Sequence, residues 1–421
     1  MKTKEQVQFF IPQESIYRST TVPKTQRSSK AVGFHEKLIT TTFHPLSAIL
    51  EEEEPERERI STVNDDNIHL EIVTALPVDS KSLAKNHTLY DEEKVETSHG
   101  KLVVAVQGER SKPAIITYHD LGLNHIANFQ NFFNFSETKS FISNFCVYHV
   151  NAPGQEEGAK DLPHGFVYPT MDELAEQLVY IVAHFNLTRI IGLGVGVGAN
   201  ILARFATKYP EKVKGLILIN TVSTAASWNE RWNQKLNAYH LNHTGMGQGT
   251  LDYLMDYFGL EYQERQHDLH LTFREYLARH VNPRNLALFI NSYIERSDLG
   301  ITRPDEKHLD LCDYNPFLEA IQNIYSYVQR YFRPVSGMSE KKTHEGCQMP
   351  VSTLNITGAY RPHKEAVVTF NSRLDPTRSD YVECSDCSMV LEEQPAKIIK
   401  AMKLFLQGIG FYYQNFTRFN T

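Results

Sequence analysis

From Asn67 onward, short apolar runs alternate with stretches whose apolar residues recur every three or four positions, the pattern of strands alternating with helices. Ile68–Val73 and Lys101–Val106 predict early strands. Ala114–Tyr118 is a continuous apolar run, the kind buried on both faces of a parallel sheet, and Phe145–Val150 is another. Asp172–Phe185 sets Leu174, Leu178, Ile181, Val182 and Phe185 on one helical face. It leads into Ile190-Ile191-Gly192-Leu193, after which Ile201, Leu202, Phe205 and Ala206 repeat at helical spacing until Tyr209-Pro210. Gly215–Ile219 is the next strand. Strands separated by helices imply right-handed crossovers and one mostly parallel central sheet flanked by helices, an α/β fold.

Between about Thr221 and Met349 the strand signals give way to helices. Apolar faces predict them at Trp228–His240, Thr250–Phe258, Leu271–His280, Asn285–Glu295 and Phe317–Phe332, with Gly259 as a C-terminal stop for the second. This stretch, about 221–349, reads as a helical cap inserted into the sheet. Val351–Gly358 and Asp380–Glu383 resume the strands, and a last helix runs from Pro395 through Leu406 to a stop at Gly408. The aromatic run Phe411–Phe416 is expected to pack back onto the body.

The first 65 residues lack this periodicity. Up to residue 38 there are seven basic residues against three acidic ones, whereas Glu51–Arg59 carries six acids and two arginines. Such blocks predict a solvated, disordered leader at 1–65 ahead of one domain at 66–421. Ser19, Thr20, Thr21, Thr25, Ser28 and Ser29 lie beside Arg18, Lys24 and Arg27, and read either as a soluble tail or as kinase targets. A formal net charge of -7 argues against general affinity for nucleic acid. Five irregularly spaced cysteines (Cys146, Cys312, Cys347, Cys384 and Cys387) do not make a disulfide framework and point to a reducing compartment. Cys384-Ser385-Asp386-Cys387 has the spacing of a redox motif or of half a zinc site, but without a second pair it reads as plain small residues, and we expect no metal. With no apolar stretch of about 18 residues, the chain reads as soluble and cytoplasmic.

The candidate chemistry gathers at Ile190–Asn200. Strand, sharp glycine turn and helix match the nucleophile elbow of an α/β-hydrolase fold, but Gly196 stands where Ser, Cys or Asp attacks. The acid of such a triad is expected three residues past Gly358, where Arg361 stands, and the alternative strand end, Asn220–Ser223, offers no carboxylate. The base is expected ahead of Glu393-Gln394-Pro395, where Ser388 stands. Gly, Arg and Ser at those positions leave no nucleophile, acid or base, since triad members act as a unit. A rival reading takes Gly194, Gly196 and Ala199 as a G-x-G-x-x-A dinucleotide fingerprint, but the next strand ends in Asn220-Thr221 without the acid a ribose needs, so no cofactor is expected. Asp120, in His119-Asp120-Leu121-Gly122, puts a carboxylate in the loop that stabilises an oxyanion in hydrolases. It reads either as a turn or capping residue with Asn124, or as part of an unconventional site with His125 or His363. Asp120, Leu121, Val195, Gly196 and Val197 are expected to line whatever pocket remains.

Four stretches in this order, Thr117–His125, Asn151–Ala159, Ile191–Ala199 and Asn371–Thr377, resemble the N-myc downstream-regulated gene (NDRG) family over roughly residues 66–410. The resemblance implies an α/β-hydrolase fold without hydrolase activity. It also implies cytoplasmic roles in signalling, differentiation, stress response and vesicle traffic, exercised through protein partners and through lipid or membrane-surface contact. An adaptor or scaffold is the leading expectation. A receptor holding a small apolar ligand or lipid in the former substrate pocket, which Gly196 would enlarge, is the alternative.

Overall fold

The apolar runs between residues 101 and 219 form the middle of one eight-stranded sheet in the computed structural model, which describes residues 90–261, 267–303 and 347–411. The strands are β1 (Asp91–Thr97), β2 (Gly100–Gln107), β3 (Ala114–Tyr118), β4 (Cys146–Val150), β5 (Ile190–Val195), β6 (Val213–Ile219), β7 (Thr353–Gly358) and β8 (Ser379–Cys384). Their order across the sheet is β1-β2-β4-β3-β5-β6-β7-β8. β1 and β2 pair antiparallel, as do β2 and β4, and every pairing from β4 to β8 is parallel.

Helices cover both faces. They are α1 (His125–Asn134), α2 (Ser136–Ile142), α3 (Met171–His184), α4 (Val197–Lys208), α5 (Trp228–His243), α6 (Gln248–Phe258), α7 (His267–His280), α8 (Pro283–Ile294), α9 (Lys364–Ser372), α10 (Val390–Glu393) and α11 (Pro395–Gly408). Because successive strand residues point to opposite faces, each apolar run feeds two cores. Ile116, Tyr118, Tyr148 and Val150 pack with Leu174, Leu178 and Leu202 on one side. Ile115, Val147, Ile191, Leu193 and Ile217 pack with Phe129, Phe133, Ile398 and Met402 on the other. Burial of one such Leu or Phe side chain stabilises the fold by roughly 1.5–3 kcal/mol, so a sheet lined on both faces holds its loops on a stiff base.

The cap helices α5 to α8 lie between β6 and β7, as the change of periodicity implies. Gly259 ends α6 in the left-handed region with φ 70, while Gly408 is the last residue of α11 and not its stop. Several elements are not foreseen by periodicity. β1 buries only Val95 among charged neighbours, α1 is rich in Asn and Phe, which are poor helix formers, and α10 is a single turn. What starts α1 is Asn124, whose side chain accepts from the amides of Ile126 and Ala127. α3 opens on a capping box, Thr170 with Glu173. The expected strand Ile68–Val73, the expected helix Phe317–Phe332 and the whole 1–65 leader lie outside the described residues. Of the aromatic run only Phe411 is described, with its ring 5.9 Å from that of Phe145. Among the described residues no helix is long and apolar enough to cross a membrane.

Candidate functional site

β5 ends at Val195 and α4 begins at Val197, so a single residue, Gly196, makes the whole turn. Its φ of 52 and ψ of −112 lie where L side chains are strained. Its amide donates to the Ile219 carbonyl at 2.8 Å, and its own carbonyl accepts from Asn200 at 3.2 Å. The flanking glycines serve close packing. A Cβ on Gly194 would lie 2.6 Å from the Ala199 Cα, and one on Gly198 would run into the Tyr118 carbonyl. A Cβ on Gly196 would fall inside the carboxylate of Asp120. The space above the elbow is therefore filled from the loop after β3.

Asp120 is the centre of the site. Its Oδ1 accepts from the Leu121 amide at 2.8 Å, the Val197 amide at 3.1 Å and the Tyr257 hydroxyl at 2.8 Å. Its Oδ2 accepts from Arg361 Nη2 at 2.8 Å. Those two amides, one just after the elbow and one in the loop after β3, occupy the places from which a hydrolase of this fold donates to an oxyanion. Arg361 Nη1 also donates to the Phe258 carbonyl at 3.1 Å, and its guanidinium lies 4.9 Å from the Tyr257 ring centroid. The two charged side chains are 1% and 3% exposed, so the pair is desolvated and each charge depends on the other. Burial and the neighbouring Asp120 push the Tyr257 hydroxyl well above its usual pKa, which keeps it a donor.

The other expected site residues lie apart from one another. Ser388 is buried and holds its own loop: Glu393 Oε1 accepts from the amides of Ser388 at 2.9 Å and Met389 at 2.7 Å, and from the Ser388 hydroxyl at 3.3 Å. Among the described residues, the donors to the Asp120 carboxylate include no histidine. His125 bonds Asn151 at 3.1 Å. His363 has its pKa lowered by burial and by Arg361. His119 bonds the Asp120 carbonyl at 2.8 Å and accepts from the Ala152 amide at 3.0 Å, and burial lowers its pKa to about 4, so it stays neutral. The side chain of Asp120 does not pair with Asn124 as a capping reading requires; only its carbonyl makes a turn, accepting from Leu123.

The expected pocket also differs. Asp120 and Val195 line a cavity of about 10 Å³ with Asn220, Arg361, Leu391 and Glu392, room for a single water at most. Leu121, Gly196 and Val197 do not line it, because the Asp120 carboxylate takes the volume that a side chain at Gly196 would need. Burial raises the Glu392 carboxyl to about 8, so it is protonated at neutral pH. Tyr257 escapes sequence reasoning because it sits in an apolar helical pattern that reads as packing, and Glu392 because it lies in a single helical turn that leaves no period to read. Glu157, in the loop after β4, escapes it too; it accepts from Asn124 at 2.8 Å and meets His280 at 2.8 Å.

A family model described as the Ndr family matches residues 92–413. Similar relatives include Protein NDRG3 of Xenopus laevis, 38% identical over 323 residues, covering 76% of this chain and 76% of that protein. Protein NDRG1 of Xenopus tropicalis is 35% identical over 324 residues, 76% of this chain and 71% of that protein. Among solved structures, a thermophilic esterase from Thermogutta terrifontis matches with a TM-score of 0.54 at 18% identity, over 76% of this chain and 100% of that one. The enol-lactonase from Burkholderia xenovorans LB400 matches with a TM-score of 0.53 at 16% identity, over 76% and 100%. At such identities the likeness speaks for the α/β-hydrolase fold alone.

Proposed function

This chain belongs to the Ndr family, and from that premise we propose that it is a non-catalytic α/β-hydrolase-like adaptor or scaffold. The observation that carries the reading is the Asp120 carboxylate, held by Leu121, Val197, Tyr257 and Arg361 in the place where an oxyanion would form. A fixed negative charge there opposes the charge that acyl transfer develops. In this reading Gly196, Arg361 and Ser388 stand at the former nucleophile, acid and base positions. Arg361 no longer orients a histidine but neutralises Asp120. The relatives' names, proteins and not enzymes, support the same conclusion.

The work of such a protein lies on its surface, with protein partners, in cytoplasmic signalling, stress or differentiation responses and vesicle traffic, and in contact with lipid surfaces. The competing reading, an apolar ligand in the former substrate pocket, has about 10 Å³ available beside Asp120. The decisive experiment is an ester panel run on the purified chain and on Gly196→Ser. We expect no saturable turnover from either, and a loss of stability in the variant on the order of 2–6 kcal/mol from strain at positive φ and overlap with Asp120. Saturable turnover by the unmodified chain, abolished by a substitution beside Asp120, overturns the proposal.

A further inference from the structure

Cys384 is the last residue of β8, and Cys387 stands three residues on, across a turn whose Asp386 lies in the left-handed region with φ 57. Both thiols are free and buried, while Ser385 and Asp386 between them are exposed, so a single turn at the last strand of the described sheet covers the pair. The Cys387 S–H donates to the Cys384 carbonyl at 3.5 Å and also reaches the Cys384 sulfur. That contact holds the Cys384 thiol below its usual pKa against the effect of burial, and the Lys397 ammonium adds to it. The same contact, with burial, pushes the Cys387 thiol up. Lys397 is fixed there because its Nζ donates to the neighbouring Glu383 carbonyl at 3.0 Å. A thiol biased toward thiolate, touched by a second that stays protonated, is the arrangement of a nucleophilic and a resolving cysteine. Spacing alone reads as packing; the fold adds the contact between the sulfurs and the difference between them.

The turn is also tied to the loop of Arg361. The Cys384 carbonyl accepts from the Ala359 amide at 2.9 Å, and the Cys387 carbonyl from the Tyr360 amide at 3.0 Å. A Cβ on Gly358 would lie 2.5 Å from the Cys387 carbonyl, so the two segments pack without space between them. We propose that Cys384 and Cys387 form a peroxide-responsive dithiol, which closes reversibly to a disulfide and thereby loosens the loop that presents Arg361 to Asp120. The Cys384 thiolate attacks one oxygen of hydrogen peroxide. The O–O bond breaks, the sulfur becomes a sulfenic acid, and the other oxygen leaves as hydroxide, which takes up the proton lost from the thiol. The Cys387 sulfur then displaces the sulfenic oxygen, which leaves as water with the Cys387 proton as the S–S bond forms. Two thiols have given up two electrons and two protons, and the peroxide has become two waters. Burial slows the attack, and a molecule little larger than water needs only this turn to open. Closing the S–S bond draws the ends of the turn together and shifts the two carbonyls that hold Ala359 and Tyr360.

Trypsin releases both cysteines on one peptide, Ser379–Lys397. The test treats the full, folded chain with hydrogen peroxide, alkylates the remaining thiols and measures the mass of this peptide, with the exposed Cys347 as an internal gauge of the oxidant. We expect the peptide two hydrogens lighter and unalkylated, and dithiothreitol to restore it. Cys387→Ser should leave Cys384 as a sulfenic acid that dimedone captures, whereas Cys384→Ser should leave Cys387 unlabelled, in variants whose unfolding curves match the parent's. Amide exchange at Ala359 and Tyr360 should quicken by about three- to tenfold in the oxidised chain. Peroxide that converts Cys347 and leaves the Ser379–Lys397 peptide fully alkylated overturns the proposal. Capture at Cys387 instead of Cys384 does so too, and so does a disulfide that leaves exchange at Ala359 and Tyr360 unchanged. None of these outcomes touches ester turnover, so the non-catalytic reading stands or falls separately.

Discussion

Three hydrogen-bond donors and a guanidinium surround the carboxylate of Asp120, which is 1% exposed. Removing one partner of such a pair strands the other. Asp120→Asn should therefore cost about 3–5 kcal/mol in chemical unfolding, and Arg361→Met a similar amount. The double variant should cost about 1–3 kcal/mol less than the sum, because neither buried charge is then left alone. Strict additivity in that cycle would remove Arg361 from its role. This pairing could not be read from the chain. Gly196 announces itself through the spacing of its neighbours, but Arg361 lies 241 positions from Asp120 and Tyr257 lies 137 away. Only the folded sheet brings them together.

The helix α6 is the element on which this centre depends. Its last turn supplies the Tyr257 hydroxyl and the Phe258 carbonyl, and Gly259 then turns the chain away. The cap is thereby fastened to the sheet at the elbow. Tyr257→Phe removes one bond to a charged acceptor, worth about 1.5–3 kcal/mol. Hydrogen exchange should show this locally, with faster exchange in α6 than in α4; uniform acceleration in both helices would contradict the fastening. Elements like α6 were legible because Leu254, Tyr257 and Phe258 recur at helical spacing. β1 was not, since its single buried residue, Val95, leaves no alternation to read. α1 was hidden by Asn-rich and Phe-rich composition, and it forms because Asn124 caps it and the sheet buries Phe129, Phe132 and Phe133.

At the scale of the whole molecule, the succession of strands along the chain and the run of helices after β6 were legible because continuous apolar runs and a long change of period survive in any environment; the order of strands across the sheet was not. The smallness of the cavity beside Asp120 was not either, because it is a matter of volume. The wall of that cavity has a pH signature. Burial raises the Glu392 carboxyl from 4.5 to about 8 in the fold, so its neutral form favours folding. Its contribution is complete below about pH 4.5 and is lost as pH rises toward 8. Urea unfolding of the chain should weaken over this window relative to Glu392→Gln, by an amount on the order of a few kcal/mol. Parallel pH profiles for the two would place the carboxyl in water instead. The Asp120 and Arg361 pair also resists single substitutions. Serine at Gly196 alone meets the carboxylate, and loss of either charge alone leaves the other stranded in the interior. A nucleophile at this elbow therefore requires Gly196, Asp120 and Arg361 to change together, and a base would still have to be supplied.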